Sequence, residues 1–333
     1  FFQKLSSKKC LAILISFWAI TIIYAWWFVP PKVDDGIYLA PSLSVLNNFI
    51  PGVILGDALQ PIFFIFPTQP FLHGIFLKSL ELLSFDINIE IYRLFNYLLV
   101  IFLFYLTSKL FSIIFEKIYY QRIALNLSLI LLGLSQFSLH FYVNRPEILG
   151  LVFFMLGLIN FIKFIKISTN KKLSIFLAFI YFGLSSIVHP NLLFLSLSVF
   201  VYLVYYLIKT KNLTYLKFSF SFTLPFCSFL AWFFINIDAA KDQLLNRSSE
   251  VAANTYLNMP AVKNIFSTII GDSNQSIVHN LYLQLHMGTF LLTIVLLTYF
   301  LFKKVDKNNK IFYEANFLKF FSISIFFLIL IMD

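Results

Sequence analysis

The sequence predicts an all-α fold: a polytopic transmembrane helical bundle of about nine spans, with an interfacial helix in its first outer loop. Three observations carry that expectation. The 333 residues are 60% hydrophobic and 20% aromatic with a mean hydropathy of +0.86, more apolar surface than a water-soluble domain can cover. The apolar residues come in runs near the ~20 residues that a helix rising ~1.5 Å per residue needs to cross ~30 Å of hydrocarbon. The basic residues collect in alternate connections between those runs, as the positive-inside rule requires.

In chain order the runs are 10–29, 87–110, 121–141, 147–165, 173–188, 191–208, 213–235, 281–302 and 312–332. The first is too long, and too free of a small-residue cleavage site, to be a removed signal peptide. Between the first two lies "TQPFLHGIFLKSLELLSF" (68–85), apolar but too short to cross and charged at Lys78 and Glu81, which reads as an interfacial or re-entrant helix. The whole of 1–333 reads as one transmembrane domain, with long outer connections at 30–86 and 236–280 and short lysine-rich inner ones such as "KTKN".

With the N-terminus placed in the cytoplasm, 18 of the 25 Lys and Arg residues fall on the inner face. Only Glu116, Asp306 and Glu314 fall there, so 15 − 3 leaves 12 acidic residues outside. Acidic residues contribute little to topology, and their gathering asks for a functional reason. The net charge of +10 follows from the inner-face lysines and from attraction to anionic lipid, and no basic patch interleaved with stacking aromatics suggests nucleic acid. The 44 Phe residues are expected to face lipid for the most part, and with Cys10 at the cytoplasmic end of the first span and Cys227 inside the seventh neither a disulfide nor a metal site on them is expected.

The polar residues at the outer ends of the spans form a set: Asp34 and Asp35 after the first span, Gln69 and His73 on the interfacial helix, Arg93 near the start of the second span, Arg145 and Glu147 in "NRPEI", and His189 and Asn191 in "VHPN". Odd spans end outside and even spans begin there, so all of these are expected at one depth, where ionisable groups commonly line a substrate path. Each also has an ordinary structural reading. Asp35 suits the N-cap of a helix opening at Gly36, Pro146 and Glu147 suit a helix start, His189 suits a polar turn, and Arg93 suits a snorkelling cation. No phosphate-cradling glycine loop, Ser/His/Asp order or HExxH motif is present. A carboxylate beside Arg and His at a membrane surface suits a transfer in which the carboxylate takes a proton from an acceptor hydroxyl while cations hold a phosphate leaving group. A donor already dissolved in the membrane would need no soluble binding domain. Asp34, Asp35 and Glu147 also offer oxygen ligands for a divalent ion, although no spacing demands one and no cofactor is required.

In this order of motifs the chain resembles the GT-C glycosyltransferases of the dolichyl-phosphate-mannose-protein mannosyltransferase and aminoarabinose transferase type. The matching stretches are "VDDGIYLAPSLSVL", "FPTQPFLHGIFLKSLELL", "YRLFNYLL" at Arg93, "NRPEI" and "VHPN", spread over residues 10 to about 210. Beyond that the likeness is hydropathy alone. The resemblance implies an inverting transfer from a polyprenyl-phosphate-linked sugar to a glycan, lipid or protein acceptor on the outer face, in a bacterial inner membrane. Asp34 is then the base, Asp35 caps the next helix or orients the acceptor, and Arg93, Arg145 and His189 face the donor. Two departures stand out. Members often carry Lys or Tyr around the double-proline stretch, where this chain has Thr68, Gln69 and His73, and members are usually longer. The chain starts without Met and stops at Asp333 directly after an apolar run, so a truncated C-terminus is expected.

Two other classes compete with the enzyme. A transporter or lipid flippase would place ionisable groups mid-span and repeat paired half-helices, and an assembly protein would scatter its outer polar groups. The nine-span expectation has its own test: a cysteine near Asn254 should react with an impermeant reagent from outside and one near Asn308 should not. Reaction of both from one side would break the topology.

Overall fold

The computed structural model describes residues 6–28, 33–55, 58–61, 67–115, 117–134, 145–166 and 170–241. The last two expected spans and most of the connection at 236–280 lie outside the described residues.

The described chain is a bundle of helices. Helix α1 (Lys8–Phe28) is apolar around its circumference, with Ile13, Ile20, Tyr24 and Phe28 all exposed, a surface stable only against lipid or another apolar body. After α2 (Val33–Asn48) comes a short antiparallel ribbon of β1 (Gly52–Leu55) and β2 (Ala58–Pro61), in register from Gly52 opposite Pro61 to Leu55 opposite Ala58. The all-α expectation omitted it, because four-residue strands are too short to show a period of two. Helix α3 (Thr68–Leu82) occupies the stretch read as interfacial, and at 15 residues it is too short to cross.

Helix α4 (Ile89–Ile114) opens with Asn88, whose side chain accepts the Ile91 N–H at 2.9 Å, and carries Glu90 in its first turn, where an acid favours the helix dipole. The remaining helices are α5 (Ile118–Leu134), α6 (Pro146–Lys166), α7 (Lys171–Ser186) and α8 (Pro190–Lys209), then a 3₁₀ segment (Leu213–Phe222) and α9 (Leu224–Ile235). Among the described residues four helical segments are long and apolar enough to cross a membrane: Lys8–Phe28, Ile89–Ile114, Pro146–Lys166 and Leu213–Ile235.

The main core lies between α4, α6, α7 and α8. Phe154, Phe161, Phe164, Phe179 and Phe182 are buried there, with ring pairs such as Phe154–Phe182 at 5.4 Å and Phe179–Phe200 at 5.6 Å. These phenylalanines therefore face protein rather than lipid, while Phe17, Phe28, Phe102 and Phe234 remain exposed. Glycines permit the closest crossings. A Cβ on Gly157 would meet the Phe182 ring, and one on Gly183 would strike the Phe222 carbonyl.

The two ends of the bundle differ in chemistry. Lys166 Nζ, in the last turn of α6, donates to the Ile114 carbonyl at 2.8 Å, which sets the final turns of α4 and α6 side by side at one end. The helix termini at that end carry Lys8, Lys9, Lys109, Lys117, Arg122, Lys163, Lys171, Lys172 and Lys209. At the other end Trp26 Nε1 donates to the Glu90 carbonyl at 2.8 Å, and Thr68 Oγ1 donates to the Ile187 carbonyl at 2.7 Å. The ends of α1 and α7 and the starts of α3 and α4 thus share a neighbourhood, and Glu90 in the first turn of α4 and Glu147, beside His189 after α7, lie there.

Gly74 is where α2 and α3 cross. A Cβ there would come within 2.7 Å of the Ser42 carbonyl oxygen and would overlap Val45. Gly74→Ala should therefore destabilise the protein by about 1–3 kcal/mol by overpacking, while Ser79→Ala on the exposed face of α3 stays near wild type; thermal unfolding in detergent measures both.

Candidate functional site

The acid-bearing end holds most of the residues singled out in the sequence. Helix α2 begins at Val33, so Asp34 and Asp35 occupy its first turn instead of preceding a helix that opens at Gly36. An N-cap lies outside the helical residues, so the capping role expected of Asp35 is not the one the backbone gives it. Both acids sit where a negative charge meets the positive end of the helix dipole. Their side chains, and that of Asn191 near the start of α8, lie outside the described residues.

His73 is fully buried at the crossing of three helices. Its Nε2 donates to the Tyr92 carbonyl at 2.9 Å, which fixes the tautomer because a carbonyl can only accept. Nδ1 then carries no hydrogen and lies 3.4 Å from Ser42 Oγ, whose own hydrogen goes to the Tyr38 carbonyl at 2.8 Å. Phe95 stacks on the ring at 4.8 Å and Tyr92 packs at 4.5 Å. Burial, opposed by the Tyr92 hydrogen bond, lowers the imidazole pKa to about 3. His73 thereby ties α3 to α4 by a hydrogen bond from a neutral ring that packs against α2. Gln69, one turn earlier on α3, is also wholly buried.

Arg93 is 2% exposed, so it does not snorkel out of the bundle. Asn96 and Tyr97 follow it on α4 and are buried as well, giving that helix a short polar stripe within one turn. The stripe was legible as a spacing of three and four residues, although only Arg93 was singled out.

Arg145, Glu147 and His189 come together. Arg145 precedes α6, Pro146 opens it, and Glu147 stands second in its first turn. The Arg145 Nη2 lies 3.1 Å from Glu147 Oε1, and His189 Nε2 lies 3.6 Å from the same oxygen. His189 sits in the two-helix turn after α7, and burial lowers its pKa; the Glu147 carboxylate acts in the opposite direction and Arg145 adds to the lowering. The cluster at neutral pH is thus an Arg–Glu ion pair beside a neutral imidazole. Glu147 is 8% exposed, and its Oε2 is buried and meets no hydrogen-bond donor among the described residues. The Thr68–Ile187 hydrogen bond ties this turn to α3, and His73 ties α3 to α4, so the cluster and the polar stripe belong to one connected junction. Thr68, which makes the first of these links, carried no sequence signal beyond being a small hydroxyl residue near a proline.

Of the oxygen donors considered for a divalent ion, Glu147 alone has a described side chain, and its Oε1 is turned to Arg145. Among the described residues no group of three or more His, Cys, Asp or Glu gathers.

The His73 pin has a pH signature. An imidazole whose folded pKa is depressed contributes stability above its unfolded value of about 6.5, and that stability is lost as pH falls from there toward about 3. Wild type should therefore lose melting temperature steadily between about pH 6.5 and 4, and His73→Gln, less stable at neutral pH, should show a flatter profile over that window. Parallel profiles would remove the pin from the acid response.

No protein-family model, curated protein or solved structure matches this chain.

Proposed function

We propose that the chain is a membrane-embedded glycosyltransferase that moves a sugar from a polyprenyl-phosphate donor to a hydroxyl on a glycan, lipid or protein. In this reading the nine-span bundle has its N-terminus in the cytoplasm and its site on the extracytoplasmic face. The observation that carries it is the junction of the acid-bearing helix ends. The Arg145–Glu147–His189 cluster is joined through Thr68 and α3, which lies on α2 at Gly74, to the helix that opens with Asp34 and Asp35. Val33 follows Phe28 by only five residues, at most about 18 Å of extended chain, so the first turn of α2 stays near the end of α1. The order of the five motifs that resemble GT-C enzymes runs through the same elements and supports the same reading.

The chemistry balances without a cofactor. Asp34 accepts the proton of the acceptor hydroxyl as its oxygen bonds to the anomeric carbon of the sugar. The bond from that carbon to the donor phosphate oxygen breaks on the opposite side, and the phosphate leaves with the electron pair, so the configuration inverts. Asp35, next in the same turn, stands about 100° further round the helix backbone and serves the acceptor or the dipole rather than the same proton. Arg93, Gln69 and the cluster shape the surroundings of the donor.

Asp34→Asn separates this role from a structural one. The substitution keeps shape and costs about 0.3–1 kcal/mol of charge–dipole energy, whereas loss of a positioned base costs about 10²–10⁴-fold in rate. Transfer from a panel of polyprenyl-phosphate sugars should be abolished in a normally inserted Asp34→Asn and partly retained in Asp35→Asn. Wild-type transfer by Asp34→Asn refutes the assignment, and loss in Asp35→Asn alone moves the base to its neighbour.

A further inference from the structure

The Arg145–Glu147–His189 cluster has a charge balance that bears on what it binds. Arg145 and His189 both turn toward Oε1 of Glu147, at 3.1 and 3.6 Å. With the imidazole neutral, the formal charges of these three groups sum to zero. A phosphate brought here would meet the Glu147 carboxylate at close range, and like charges in a poorly solvated site repel strongly. The cluster is therefore badly disposed as an anion site.

Oε2 of the same carboxylate is in the opposite situation. It is buried and accepts no hydrogen bond from the described residues, and a buried carboxylate oxygen left without a donor is costly. A donor would complete it. An ammonium group would leave a net positive charge in a buried place, while a hydroxyl keeps the sum at zero. Arg145 and His189, 29% and 19% exposed at their side chains, form the more open edge of the cluster beside the buried carboxylate.

We infer that Glu147 is a specificity-determining residue that accepts a hydrogen bond from a sugar hydroxyl at Oε2, with Arg145 and His189 fixing the carboxylate from its Oε1 side. The inference rests on the glycosyltransferase reading and narrows it: the cluster reads the neutral, hydroxylated part of the ligand, and the phosphate is held elsewhere. Hydrogen bonds from a hydroxyl to a charged acceptor are among the stronger ones, so losing the partner hydroxyl should cost about 10- to 100-fold in affinity.

Binding, rather than turnover, is the readout. Short-chain polyprenyl-phosphate glucose, mannose and arabinose, each with its singly deoxygenated forms, are titrated against the detergent-solubilised chain and affinity is read from the shift in melting temperature. Wild type should bind at least one of the sugars and should lose about 10-fold or more in affinity when one particular hydroxyl is absent. Glu147→Gln should bind the parent sugar and that deoxy form within about threefold of each other. Glu147→Asp, which keeps the charge but withdraws the carboxylate by one methylene, should show the same flattening and serves if the Gln variant does not fold. The inference is overturned if no sugar probe binds wild type, if the hydroxyl dependence survives both substitutions, or if inorganic phosphate competes for the cluster and Arg145→Gln abolishes that competition. A parallel transfer assay keeps the two ideas apart. Hydroxyl-dependent binding without transfer sinks the enzyme and leaves the site standing, whereas transfer with unchanged hydroxyl dependence in Glu147→Gln does the reverse.

Discussion

Everything in this bundle depends on where its backbone and charged groups can be satisfied. A helix closes its own hydrogen bonds along its middle and leaves four N–H groups and four carbonyls open at its ends. In a chain this apolar, the middles are surrounded by hydrocarbon-like side chains, and polar chemistry concentrates at the ends. Trp26 answers the Glu90 carbonyl, Thr68 that of Ile187, Asn88 the Ile91 N–H and Lys166 the Ile114 carbonyl. The same accounting that closes the helix ends also gathers the polar side chains, because helices running alternately up and down bring their starts and finishes to shared ends of the bundle.

Helix α3 has an outsized part in one of those planes. It is too short to cross, yet it touches elements far apart in sequence: Gly74 lets it lie directly on α2, its His73 hydrogen-bonds to α4, and Thr68 reaches the turn that carries His189. Each link is a polar or close contact that a longer, purely lipid-facing helix would not need. The arrangement turns three chain segments, distant in sequence, into one surface with a buried ion pair at its edge. The neutral state of His73 is part of that economy, since a charged ring at the centre of the crossing would require a counter-ion for which the neighbouring Tyr92, Phe95 and Ser42 offer no replacement.

Much of this was legible in the sequence, and the reasons for what was not are physical. Runs of apolar residues near the length of a bilayer are a strong signal, so the helices at 8–28, 89–114 and 146–166 fall within a few residues of their expected bounds. The non-crossing helix at 68–82 was legible from its length and from Lys78 and Glu81. The ribbon at 52–61 was not, since strands this short have no periodicity to read. Helix α2 starts at Val33, three residues before the opening expected at Gly36, because Asp35 was read as the cap, and with that start went the capping role of Asp35. At the site, charge type and helix-end position foretold the meeting of Arg145, Glu147 and His189, but nothing in the sequence distinguishes a histidine facing a carboxylate, like His189, from one sealed among aromatic rings, like His73. That difference is set by three-dimensional neighbours: Phe95 and Ser42 lie more than twenty residues from His73 along the chain.

The connection between α3 and α4 has a practical corollary. Residues 83–86 are exposed, whereas the segments on either side are clamped together by the His73–Tyr92 hydrogen bond and its stacked rings. The ends of that loop are therefore held by contacts that do not pass through it, and extra length there adds only the slow logarithmic cost of a larger closed loop. A rigid soluble domain spliced in near Ser84 would ride on a fixed base, giving this nearly featureless apolar chain an external landmark for particle alignment in electron microscopy without disturbing the helices on either side.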